Sequence, residues 1–73
     1  MSRQKLPIRI DGPRIRAMLK ERKITMLALG DLLYMSKSNA ARTLYRGTCD
    51  RETVSLIATL LDVPPEELIL GEL

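Results

Sequence analysis

The segment from Thr25 to Gly47, TMLALGDLLYMSKSNAARTLYRG, carries a helical apolar pattern that stops and restarts within three residues. Leu29, Leu32 and Leu33 form an amphipathic stripe, Tyr34-Met35-Ser36 interrupts it, and Ser36 offers a hydroxyl to cap a new helix from Lys37. The second helix turns Lys37, Ser38, Asn39 and Arg42 outward and leaves Ala40, Ala41 and Leu44 to pack. Two short helices at a tight corner, the second with a hydrogen-bonding leading end, leave few folds open to the rest of the chain.

Composition narrows those folds further. Seventy-three residues make one domain, and at this size folding buries only about 60% of the unfolded surface, so the core must be small and closely packed. The chain is 45% hydrophobic but only 3% aromatic, which suits short helices better than a β-sandwich. The expected fold is all-α, a compact bundle of five short helices with a short strand or extended arm at its N-terminus. Cys49 is the single cysteine and histidine is absent, so neither an internal disulfide nor a zinc site is available and packing alone must hold the domain. No metal, cofactor or small-molecule ligand is expected. A reducing cytoplasm fits this cysteine usage. No run approaches the roughly 18 apolar residues of a membrane span, and Met1 to Ile10 lacks the apolar stretch of a secretion signal.

Along the chain, residues 1–10 read as an N-terminal arm or short strand and residues 11–73 as the domain. Leu6, Ile8 and Ile10 alternate with Pro7, Arg9 and Asp11 at period two, giving either a strand or an arm packed on the bundle. As a strand it could pair with Leu68-Ile69-Leu70 or with a second copy, Pro7 restricting it to an edge. Asp11 or Gly12 caps a first helix from Pro13 to about Arg22, with Ile15, Met18 and Leu19 inward. Ile24 plugs the core and Thr25 caps the second helix, in which Gly30 costs about 1 kcal/mol relative to alanine unless a neighbouring backbone approaches closely. Gly47 suits a left-handed helix end, and Asp50 caps a fourth helix to Leu61 with Val54, Ile57, Ala58 and Leu61 inward. Pro65-Glu66-Glu67 opens a last short helix, and Leu68, Ile69, Leu70 and Leu73 either close the core or build a dimer contact.

The net charge of +3 conceals a gradient. Residues 1–24 hold eight basic and two acidic side chains, residues 25–51 four and two, and residues 52–73 none and five. A basic front with an acidic end favours a polyanion on one face, although the same charges could simply solvate helix surfaces. Set beside the corner at residues 34–36, the charge supports the helix-turn-helix plan, in which the second helix reads base edges.

With these blocks in order, the chain resembles the Cro/CI-type, lambda-repressor-like helix-turn-helix family over about Ile10 to Leu70. The first helix and its exit match at Ile15, Met18, Lys23, Ile24 and Thr25. The central motif matches at Leu29, Gly30, Leu33, Tyr34, Met35, Ser36, Ser38, Asn39 and Gly47, and the last block at Val54, Ile57, Ala58, Leu61, Val63, Glu66, Glu67 and Leu68. Three residues depart from the pattern. Tyr34 replaces a turn glycine, so the corner is expected to differ in geometry. One additional residue before Gly47 leaves open which of Ala40 or Ala41, and of Thr43 or Leu44, faces inward. Pro64 stands where a capping serine is common.

The resemblance implies a sequence-specific regulator of transcription, a repressor in the first instance, that binds double-stranded DNA with a recognition helix of about residues 37–45 in the major groove. Lys37 and Arg42 suit guanine, Asn39 suits adenine, and Ser38 completes the base-contact set, with phosphate as the alternative for Arg42, a turn later. Thr25, Met26, Ser36, Arg46, Thr48 and Arg51 are the expected phosphate contacts. Tyr45 either packs or lies against sugar-phosphate, and is placed at the core boundary. One such domain contacts few phosphates, so a homodimer on a palindromic operator is expected, joined through Leu6–Ile10 or Leu68–Leu73. The alternative is a protein-interaction module of the same fold, an antitoxin-like or adaptor partner of another regulator. An enzyme is not expected, since Ser36-Lys37-Ser38 on one exposed helix lacks the geometry of a nucleophile pair.

Overall fold

In a computed structural model, which describes residues 7–72, the element order is β1 (Ile8–Ile10), α1 (Gly12–Glu21), α2 (Met26–Leu33), α3 (Lys37–Arg46), β2 (Thr48–Cys49), α4 (Arg51–Leu61), a 3-10 turn (Pro65–Glu67) and β3 (Ile69–Glu72). Leu6, the rest of residues 1–6, and Leu73, all expected to matter to the arm or to a dimer contact, lie outside the described residues.

Each helix start follows from one side chain. Asp11, Thr25, Ser36 and Asp50 accept hydrogen bonds from the amides of Arg14, Ala28, Asn39 and Thr53, at 3.2, 3.1, 3.1 and 2.8 Å. Each cap satisfies a donor that the first helical turn leaves without a partner.

Three of the helices also end in one way. Lys23, Tyr34 and Asp62 adopt left-handed backbone, φ 59°, 59° and 60°. In each case the next amide, of Ile24, Met35 or Val63, donates back to Leu19, Gly30 or Ala58. This is the Schellman closure, and the apolar residue after the left-handed one packs against the core. The corner at Tyr34 therefore keeps the left-handed geometry that glycine would give. The glycine this corner requires lies earlier. A Cβ on Gly30 would stand 2.6 Å from the Met35 carbonyl oxygen and 3.2 Å from the Ser36 carbonyl. The close approach expected at Gly30 thus comes from the corner itself. Because Tyr34 is 93% exposed, its ring returns no packing for a conformation that costs a non-glycine residue about 1–2 kcal/mol. Tyr34→Gly is expected to raise stability by about 0.5–1 kcal/mol after the greater freedom of glycine in the unfolded chain is subtracted. A thermal melt about 4 °C higher checks it.

The core gathers Ile8, Ile10, Ile15, Leu19, Leu29, Leu33, Ala40, Leu44, Val54, Ile57, Ala58, Leu61 and Leu68. Ala40 is buried and Ala41 exposed, while Thr43 and Leu44 are both buried, which fixes the facing of α3. The Thr43 hydroxyl is satisfied in place, donating to the Asn39 carbonyl at 2.9 Å.

The all-α expectation is corrected by a small sheet of order β2-β1-β3, both pairings antiparallel. Among the described residues there are four α-helices, and the expected fifth is the 3-10 turn Pro65–Glu67. The N-terminal segment is a strand, and it is central rather than an edge. Pro7 precedes the first paired residue, so its missing amide removes no ladder bond. Ile8 and Ile10 face the core and Arg9 faces solvent. Opposite Arg9 and Ile10 the register on β3 skips Leu70, pairing Arg9 with Gly71 and Ile10 with Ile69. This bulge leaves Leu70 59% exposed while Leu68 is fully buried. The C-terminal apolar block therefore closes the core with one residue and presents another outward.

Candidate nucleic-acid interface

The site is built on α3. With Ala40, Thr43 and Leu44 inward, a rotation of about 100° per residue sets Ser38, Arg42 and Tyr45 outermost, flanked by Ala41 on one side and by Asn39 and Arg46 on the other. All six are exposed, as is Lys37 in the first turn. Tyr45 was expected at the core boundary. It is 87% exposed because the facing of α3 puts it one turn beyond Ala41 and Arg42, on the side away from Leu44.

Three neighbouring contacts fix the pose of α3. At its start, the Ser36 cap and the corner seated on Gly30 set its direction. At its end, Gly47 takes φ 78° and its carbonyl accepts the Ile10 amide at 2.8 Å. Between them, α1 meets α3 at Gly12, where any Cβ would collide with the Leu44 carbonyl.

Of the expected base contacts, Ser38 and Arg42 line one shallow groove together with Met26, Ala41, Tyr45 and, from α1, Arg16. Lys37 and Asn39 lie in the first turn of α3 outside that groove. Thr25 and Met26 line a second, adjoining groove with Arg16, Lys20 and Lys23. The hydroxyls of Thr25 and Ser36 serve as caps. Arg46 ends α3, Thr48 pairs with Arg9 in β2, and Arg51 opens α4, so these three do not join the grooves. Arg16 was legible only as an exposed helix charge, since its place beside α3 depends on how α1 packs.

The cations divide by partner. Arg14 pairs with Glu67 at 3.3 Å, and Arg22 lies 3.9 Å from Glu21. Arg16, Lys20, Lys23, Lys37, Arg42 and Arg46 make no ion pair among the described residues. Cys49, half-buried in β2, has its thiol pushed up to about 11 by burial and by Asp50, against the opposing pull of Arg46. At neutral pH it is protonated and a poor nucleophile.

Over residues 11–69, which include this capped corner and α3, the chain is matched by a family model described as winged helix-turn-helix DNA-binding. The chain belongs to this winged helix-turn-helix DNA-binding family. No curated protein and no solved structure gives a match. The family assignment supports the helix-turn-helix part of the sequence reading, without selecting the Cro/CI type. Among the described residues, no two successive strands form a hairpin, because α4 separates β2 from β3. Among those residues no helix is long and apolar enough to cross a membrane.

Proposed function

We propose that the chain is a sequence-specific, double-stranded DNA-binding regulator of transcription, a cytoplasmic repressor without enzymatic activity, with α3 in the major groove. The observation that carries this reading is the asymmetry of α3: its inner face is fully committed to the core, while Ser38, Arg42 and the flanking Asn39 are uncovered and have side chains able to bond base edges. Lys37 joins them as a base contact. Thr25, Met26, Ser36, Arg46, Thr48 and Arg51 act on the backbone, and the order of the sequence blocks favours a Cro/CI-like docking.

The working form is a homodimer on two half-sites about 34 Å apart. Both edges of β1 are occupied by β2 and β3, which leaves residues 68–73 as the better of the two dimer surfaces, with Leu70 exposed on an edge strand. Selection of bound sites from a random DNA pool tests the whole reading. An enriched palindrome, bound with an affinity that falls steeply with salt at about 0.9 log units per phosphate contacted, is expected. No enrichment at low salt would favour the protein-interaction module instead.

A further inference from the structure

We propose that Arg16 on α1 and Tyr45 on α3 form, with Met26, a seat for one sugar-phosphate unit of the DNA backbone, extending the interface beyond the helix-turn-helix. The inference rests on the DNA-binding reading above and adds a site to it. The groove in question is lined by Met26, Ala41, Tyr45 and Ser38 together with two arginines, Arg16 from α1 and Arg42 from α3. A DNA strand repeats the complementary pattern, an apolar deoxyribose beside an anionic phosphate. The ring of Tyr45 can cover the sugar while its hydroxyl donates to a phosphate oxygen, and the Arg16 guanidinium can bind phosphate in a fork, leaving Arg42 to the bases. Met26 is also the first residue of α2, and its amide belongs to the turn whose donors have no intrahelical partner.

Continuity decides that the occupant is the same duplex read by α3. Arg16 lines this groove and the adjoining one, which carries Lys20 and Lys23. The unpaired cations of α1 thus run directly into the outward face of α3. Arg14 gives the contrast. It lies about 200° round the helix from Arg16 and is engaged by Glu67. Tyr45, 87% exposed, has no packing role among the described residues to explain an aromatic ring at that position.

The test uses the full chain and two duplexes, the selected site and a random sequence, with binding followed by fluorescence anisotropy at several salt concentrations. Arg16→Ala is expected to weaken binding to both duplexes alike and to flatten the salt slope by about 0.9. Tyr45→Ala is expected to weaken binding about tenfold, the size of one contact, with the slope unchanged, and Tyr45→Phe to recover part of the loss through its ring. Arg14→Ala, which removes the same charge, is expected to bind as the unaltered chain. Melting temperatures matching the unaltered chain verify that the exposed substitutions leave the fold intact. Either Arg16→Ala or Tyr45→Ala binding as the unaltered chain overturns the seat, as does Arg14→Ala reproducing the Arg16→Ala loss. If the unaltered chain binds neither duplex, the function itself fails, an outcome distinct from these.

Discussion

Replacing Gly12 by alanine is expected to lower the stability of the domain by about 3 kcal/mol, at the upper end of the usual cost of overpacking. The usual argument runs the other way, since alanine is the better helix former by about 1 kcal/mol. Packing decides the sign. Gly12 is buried at the start of α1, and its Cβ would overlap the backbone carbonyl of Leu44. A flexible side chain could swing aside, but a backbone carbonyl in the last turn of α3 moves only if that turn moves. A chain of this length has about 4–11 kcal/mol in total, so the loss is a large share of it. Chemical denaturation and a melting temperature lowered by more than about 10 °C check it. A variant as stable as the original would show that α1 and α3 can separate at little cost.

The second large effect concerns recognition. The double substitution Asn39→Ala with Arg42→Ala is expected to weaken binding to the selected site by about 2–6 kcal/mol, since each bidentate base contact is worth about 1–3 kcal/mol. That is at least about thirtyfold in Kd. Both side chains are exposed, and the Ser36 cap uses the backbone amide of Asn39, which alanine retains. The fold should therefore survive, and circular dichroism at the binding temperature verifies it. On random DNA the same variant should lose only the contribution of one charge. Equal losses on both duplexes would assign these residues to the backbone instead of to bases.

The residues that begin helices were readable from the sequence because their physics is local. Asp11, Thr25, Ser36 and Asp50 each bond an amide three residues on, and nothing distant can change that geometry. The inward residues of α4 were readable for the same reason, their period being unambiguous. Helix α3 was harder, because Ala40-Ala41 and Thr43-Leu44 offer two facings one step apart. Contact with the rest of the core selects one, and that choice moved Tyr45 from the boundary to the surface. Strand β2 has two residues and no pattern of its own; it exists because β1 passes beside it. The expectation that Tyr34 would alter the corner treated the left-handed residue in isolation. The apolar Met35 behind it and the close approach at Gly30 hold that geometry.

The central place of β1 has a mechanical meaning. Gly47, which caps the end of α3, is tied to β1 through its carbonyl and the neighbouring Arg9–Thr48 pair, and β1 is tied to β3 along its other side. No slack linker separates α3 from the sheet's far edge. A second copy seated on β3 would transmit its orientation through two rigid seams to α3, so the distance between half-sites would be a property of strand register, set before any side chain meets a base.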